Sequence, residues 1–116
     1  MNPGKLAKLR LSPQENKALS LLMDEVRKIV PGAGFILFGS KATGTGEEES
    51  DLDLLVELPI AVSEDLRRCI IHLAFEINLV YGSNISVLIV SRDDWENGLL
   101  AALPIHVEID KEGIPL

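Results

Sequence analysis

The chain has 116 residues, 47% of them hydrophobic and 25% charged, and its 11 basic and 18 acidic side chains give a formal charge of −7. That length predicts one domain over residues 1–116 with a single core. No apolar run approaches the ~18 residues of a membrane span, and the lone cysteine, Cys69, excludes an internal disulfide and a multi-cysteine metal site.

Met1 to Arg10 lacks the apolar stretch of a secretory signal, which with the single cysteine predicts the cytoplasm. Residues 1–46 hold seven basic and three acidic groups, whereas residues 47–116 hold four basic and fifteen acidic. An acidic body repels a polyanion, so a nucleic-acid partner is disfavoured, and Lys5, Lys8 and Arg10 read as a solvated terminus. Ser12-Pro13-Gln14-Glu15 is a helix start: Ser12 caps, Pro13 fits the first turn and Glu15 completes a capping box. Leu19, Leu22, Met23, Val26 and Ile29 follow at helical spacing until Pro31-Gly32.

Phe35 to Phe38, uniformly apolar between Gly34 and Gly39, reads as a buried strand. Residues 39–50 form a turn region with three glycines and three successive glutamates, and Leu52 to Leu58 is a second strand closed by Pro59. Ser63 caps a long helix with Glu64 and Asp65 in its first turn. Its stripe of Leu66, Ile70, Leu73, Ile77 and Val80 is widened by Ile71, Phe75 and Leu79, which predicts the most buried helix, with Cys69 in the core. A domain with so broad an apolar helix is also a candidate for pairing with a second copy or a partner chain. A turn at Tyr81 to Asn84 leads to a third strand, Ile85 to Val90. Ser91 then starts a helix running through Trp95, Leu99 and Leu100 to Leu103-Pro104, and the tail from Ile105 holds a short helix or extended segment. This order predicts an α/β (α+β) domain in which a small mixed sheet packs against helices.

The chemistry concentrates between the first two strands. Asp51 and Asp53 are two residues apart, so on a strand they share a side at ~6.6 Å between Cα atoms, while Leu52, Leu54 and Val56 face the core. Carboxylates that close repel one another unless a cation intervenes, and a hard ion such as Mg²⁺, or Mn²⁺ in its place, takes oxygen ligands while keeping water and phosphate in its shell. Gly39-Ser40, followed by Gly44 and Gly46, allows a close backbone approach and offers amide and hydroxyl donors to phosphate oxygens. The economical ligand of the combination is a metal-bound nucleoside triphosphate.

Gly39-Ser40, Gly44 and Ser50-Asp51-Leu52-Asp53-Leu54-Leu55-Val56 resemble the GSxxxG…SDxDLLV signature of the minimal nucleotidyltransferases (MNT) of the DNA polymerase β superfamily. The resemblance implies the nucleotidyltransferase fold and Mg²⁺-dependent transfer of a nucleoside monophosphate, AMP from ATP. It also implies that Asp51 and Asp53 are the catalytic, metal-holding pair and that Gly39, Ser40, Gly44 and Ser50 bind the nucleotide phosphates. As a partner it implies a helical HEPN-type toxin, which the nucleotidyltransferase counters as antitoxin by modifying a hydroxyl group.

Active members usually add a third carboxylate from a later strand; here Ser86 stands at that place, and Thr43 stands where relatives often carry arginine. Serine supplies neither negative charge nor a base near neutral pH, so a weakened nucleotide-binding or protein-binding antitoxin is the alternative reading. Glu57, Asp93, Asp94 and Glu47 to Glu49 are the remaining carboxylates to consider. His72 and His106 read as satisfied or exposed histidines and Trp95 as packing.

Overall fold

The computed structural model describes residues 11–39 and 51–116. The basic segment ahead of Leu11, and Ser40, Thr43, Gly44, Glu47 to Glu49 and Ser50 of the turn region, lie outside the described residues. Helix α1 (Pro13–Ile29) starts on the expected capping box. The Glu15 N–H donates to Ser12 Oγ at 3.1 Å, and the Ser12 N–H donates back to Glu15 Oε1 at 3.0 Å. Strand β1 (Gly34–Phe38) and strand β2 (Leu52–Leu58) pair antiparallel. Helix α2 (Glu64–Tyr81), capped by Ser63 and ended by Gly82 in the left-handed region, carries the chain over to strand β3 (Ile85–Ser91), which runs parallel to β2.

The predicted last helix is divided. Helix α3 (Arg92–Asn97) stops at Gly98, a 3₁₀ turn covers Leu99–Ala102, and helix α4 (Pro104–Glu112) leads into a short strand β4 (Ile114–Pro115) on the outer edge of β1. The sheet order is β3-β2-β1-β4, a mixed sheet as expected.

Period-two alternation on β2 assigns its two faces to different cores. Leu52, Leu54, Val56 and Leu58 meet Ala18, Leu22 and Val26 of α1 and Ile70, Ala74 and Ile77 of α2. On the opposite face Leu55 joins Val90, Trp95 and Ile109, so Trp95 is a packing residue. The result is three layers, with α1 and α2 on one side of the sheet and α3 and α4 on the other.

Two expectations fail on α2. Cys69 is exposed rather than in the core. The helix is also not the most buried one, because Ile71, Phe75, Leu79 and Val80 face outward. The apolar arc is wider than the strip that α1 and the sheet cover, and the structure buries only the part centred on Ile70, Ala74 and Ile77.

Asn78, in the last turn of α2, sets the start of β3. Its Nδ2 donates to the Ile85 carbonyl at 3.0 Å, while Oδ1 accepts from the Ile85 N–H at 2.9 Å and from the Ser83 hydroxyl at 2.8 Å. An amide that replaces the ladder bonds of Ile85 fixes the register of everything downstream, including Ser86.

Candidate functional site

Asp53 is the second residue of β2, and its Cα partners are Phe38 on β1 and Ser86 on β3. Neighbours in register share a face, so Phe38, Asp53 and Ser86 form one row across the sheet. The next row, Ile36, Leu55 and Leu88, is apolar and belongs to the core under α3 and α4. Asp53 is therefore half-buried at the edge of a hydrophobic layer, while Asp51, just ahead of the strand, is exposed.

Burial first, and the charge of Asp51 second, push the Asp53 carboxyl above the ordinary aspartate range. The folded chain thus holds this proton more tightly than the unfolded chain does. The contribution to stability is present below the unfolded value and is lost as pH rises through the folded one, so at neutral pH the ionised group opposes folding. In chelator at pH 7, Asp53→Asn is expected to raise Tm by about 1–3 °C, a small gain because solvent screens a half-exposed group. Thermal unfolding from pH 7 downward checks this; a gain that grows on acidification contradicts it.

Gly39 follows Phe38 directly and has a φ of 78°, in the region that glycine enters without steric cost. A Cβ placed there would overlap Oδ2 of Asp53 and lie 3.3 Å from its Cγ. The backbone after β1 thus closes on the Asp53 carboxylate, a glycine cradle whose space the carboxylate already fills and which no side chain at position 39 could share. Two hard oxygen donors with coupled charges, beside backbone that can come close, suit a Mg²⁺ or Mn²⁺ ion that shares a phosphate ligand.

The site residues named from the sequence divide accordingly. Asp51, Asp53 and Gly39 come together, and Ser40, Gly44 and Ser50 lie outside the described residues. Ser86 falls beside Asp53, in register with it on the parallel strand β3. Among the described residues, the other candidate carboxylates Glu57, Asp93 and Asp94 lie elsewhere. Arg92 Nε donates to Glu57 Oε1 at 3.1 Å, while Arg92 Nη2 donates to the Gly32 carbonyl at 3.1 Å. Asp93 and Asp94 sit in the first turn of α3, beyond the far end of β3 and roughly 16 Å or more from the Ser86 end by strand rise.

Among the described residues no group of three or more His, Cys, Asp or Glu side chains is placed to hold a metal ion. Both histidines are satisfied on helix surfaces: His72 Nε2 lies 3.0 Å from Glu76, and His106 Nδ1 lies 3.1 Å from Asp110 and stacks on Trp95 at 4.4 Å between ring centroids. Sequence reasoning missed Asn78 and Phe38. An Asn one turn before a Gly-Ser-Asn turn is a signal for the first, and the antiparallel register across the loop is one for the second. Among the described residues no helix is long and apolar enough to cross a membrane.

Comparison with known proteins agrees with this fold. The family model of the nucleotidyltransferase domain matches residues 19–111. A chain from a toxin–antitoxin crystal structure with AMP-PNP superposes with a TM-score of 0.53 at 17% identity, over 82% of this chain and 69% of that one. A chain from a mutant of the MntA-HpeT toxin–antitoxin superposes with a TM-score of 0.55 at 22% identity, over 92% and 72% of the two chains. No curated protein sequence matches significantly.

Proposed function

The chain belongs to the nucleotidyltransferase domain family, and from that membership we propose that it is a Mg²⁺-dependent enzyme transferring AMP from ATP to a hydroxyl group of a partner protein. The proposal includes its biological setting: a cytoplasmic antitoxin of the MNT type acting on a helical HEPN-type toxin. The observation that carries it is the packing of Gly39 against the Asp53 carboxylate, with Asp51 beside it at the mouth of β2. Two similar structures being toxin–antitoxin complexes, one with AMP-PNP, favours both the setting and the nucleotide.

Asp51 and Asp53 would hold the metal ion, which would supply a Lewis acid at the α-phosphate and counter-charge for departing pyrophosphate. Gly39 lets the backbone after β1 close on the Asp53 carboxylate, and the family resemblance assigns Ser40, Gly44 and Ser50 to the phosphates. The row of Ile36, Leu55 and Leu88 behind the carboxylates keeps water from their inner side, which strengthens every charge interaction at the mouth. The acceptor oxygen bonds to the α-phosphorus as the bond to pyrophosphate breaks. Its proton passes to water at the open mouth, because Ser86 offers no carboxylate to receive it. The protein's work is positioning and neutralisation, as is usual for transfer at phosphorus.

Ser86 beside Asp53 also favours a second reading, in which the chain binds Mg²⁺·ATP and its partner but transfers poorly. Incubation with Mg²⁺, ATP radiolabelled at the α-phosphate and a HEPN-type partner separates the two. Label on the partner supports the first reading, bound nucleotide without label supports the second, and no nucleotide binding contradicts both.

The glycine cradle has its own test. Gly39→Ala and Gly82→Ala both place a Cβ at positive φ, at a cost of about 1–2 kcal/mol each, but position 82 has open space around it and position 39 has Asp53. Gly39→Ala is expected to weaken Mg²⁺·ATP binding by at least about tenfold while Gly82→Ala leaves it unchanged, as read by calorimetry. Equal affinities for the two variants would remove the cradle from the site.

A further inference from the structure

Strand β3 is an outer strand, with β2 on one side and no described strand on the other. Backbone groups of successive strand residues point to opposite edges. The Asn84 carbonyl accepts from the Leu52 N–H at 2.9 Å and so faces β2. By alternation Ser86, Leu88 and Val90 also bond toward β2, while Ile85, Val87 and Ile89 turn their N–H and C=O groups to the open edge. Such a row is a template for an added strand.

Helix α2 interrupts the row with two side chains. Asn78 takes both outward groups of Ile85. At the other end Arg67, half-buried, donates from Nη1 to the Ile89 carbonyl at 3.1 Å. Arg67 and Asn78 lie about 16 Å apart along the helix, and Ile85 and Ile89 about 13 Å apart along the strand, so the two elements match end to end. Between the two contacts the Val87 N–H, the Val87 carbonyl and the Ile89 N–H have no partner among the described residues.

We propose that Arg67 guards this edge, keeping β3 from pairing antiparallel with β3 of a second copy. Without its guanidinium the outward groups of Val87 and Ile89 would all be free, and they match a two-fold axis at Leu88. Val87 would then face Ile89 of the second copy and Ile89 its Val87, each pair exchanging two hydrogen bonds. Asn78, at Ile85, would fall opposite Ser91 of the second copy, where β3 ends, so it closes only the pair beyond. The guard also bears on the candidate site. Ser86 would face Val90 of the second copy, so an unguarded edge would seat that copy beside the row of Phe38, Asp53 and Ser86. The inference stands on backbone geometry and not on the transferase reading.

Sedimentation equilibrium of the full chain is the test. Arg67→Ala is expected to self-associate at least about tenfold more tightly than wild type. The substitution makes the net charge more negative than −7, so relief of charge repulsion cannot account for the gain. Val87→Pro in that background removes one exchanged N–H, which faces outward and so tolerates proline, and should return the wild-type value. Arg67→Lys, which keeps a charged donor at the edge, should behave as wild type. Tm and the fluorescence of Trp95, the single tryptophan, report the fold. Should Arg67→Ala unfold, Arg67→Met, which keeps the apolar stem and drops the donors, carries the same test. A folded Arg67→Ala or Arg67→Met that associates no more tightly than wild type overturns the proposal. So does association that Val87→Pro leaves unchanged or that Arg67→Lys shows equally. Mg²⁺·ATP binding is read separately by calorimetry on wild type, and its absence would fail the transferase reading while leaving the guard standing.

Discussion

Replacing Asp51 and Asp53 together by asparagine is expected to lower AMP transfer by at least about 10³-fold, the scale on which a site loses charge stabilisation of its transition state. Asparagine keeps the shape and one oxygen of each side chain but removes both negative charges, so in the proposed reaction a metal ion would lose its attraction and the α-phosphate its Lewis acid. Of the single variants, Asp53→Asn is the more damaging. Asp53 lies half-buried against the apolar row where charges interact more strongly, whereas Asp51 is exposed and water can partly stand in for it. Stability separates this loss from unfolding. Burial and Asp51 already disfavour the ionised Asp53 in the metal-free chain, so the asparagine variant should melt no lower than wild type in chelator while failing to gain stability from Mg²⁺·ATP. Transfer retained within tenfold in the double variant would show that the chemistry lies elsewhere.

The parts of the molecule that were legible beforehand are those written in local sequence. The capping box at Ser12 and Glu15 needs only four letters, and both of its hydrogen bonds are present. The strand that carries Asp53 was readable from its own apolar letters, whereas Ser86 drew notice only through the family resemblance, and its place in register with Asp53 depends on the parallel pairing of β3 with β2. What the letters could not convey is which neighbour covers which face. Ile71, Phe75 and Leu79 look like core by hydropathy, yet coverage depends on where α1 packs, and α1 reaches only the Ile70, Ala74 and Ile77 side. Cys69 was misplaced for the same reason. The helix after Ser91 read as continuous through Leu100, whereas Gly98, whose added Cβ would lie 2.8 Å from the Asp94 carbonyl oxygen, ends it and turns the chain toward α4. The clamp of Arg92 on Glu57 and Gly32 joins residues far apart in sequence and left no local trace.

Ser86→Asp is expected to raise transfer by about 10²-fold, the lower end of what a positioned general base contributes. Ser86 is exposed and in register with Asp53, so a carboxylate there shares the face of Asp53 at the ~4.8 Å spacing of adjacent strands. It can take the acceptor hydroxyl's proton, which otherwise leaves to water, and its charge admits a second divalent ion beside the first. The same change should cost stability without metal, because a third carboxylate repels Asp51 and Asp53, and restore it with metal present. Ser86→Asp is therefore expected to melt below wild type in chelator and to gain more from Mg²⁺·ATP, while Ser86→Asn, equal in size and uncharged, changes neither. Single-turnover labelling of the partner and paired melts in chelator and Mg²⁺ are the measurements. If Ser86→Asp and Ser86→Asn label alike, the proton does not limit the reaction, and the place beside Asp53 has no catalytic use in this chain.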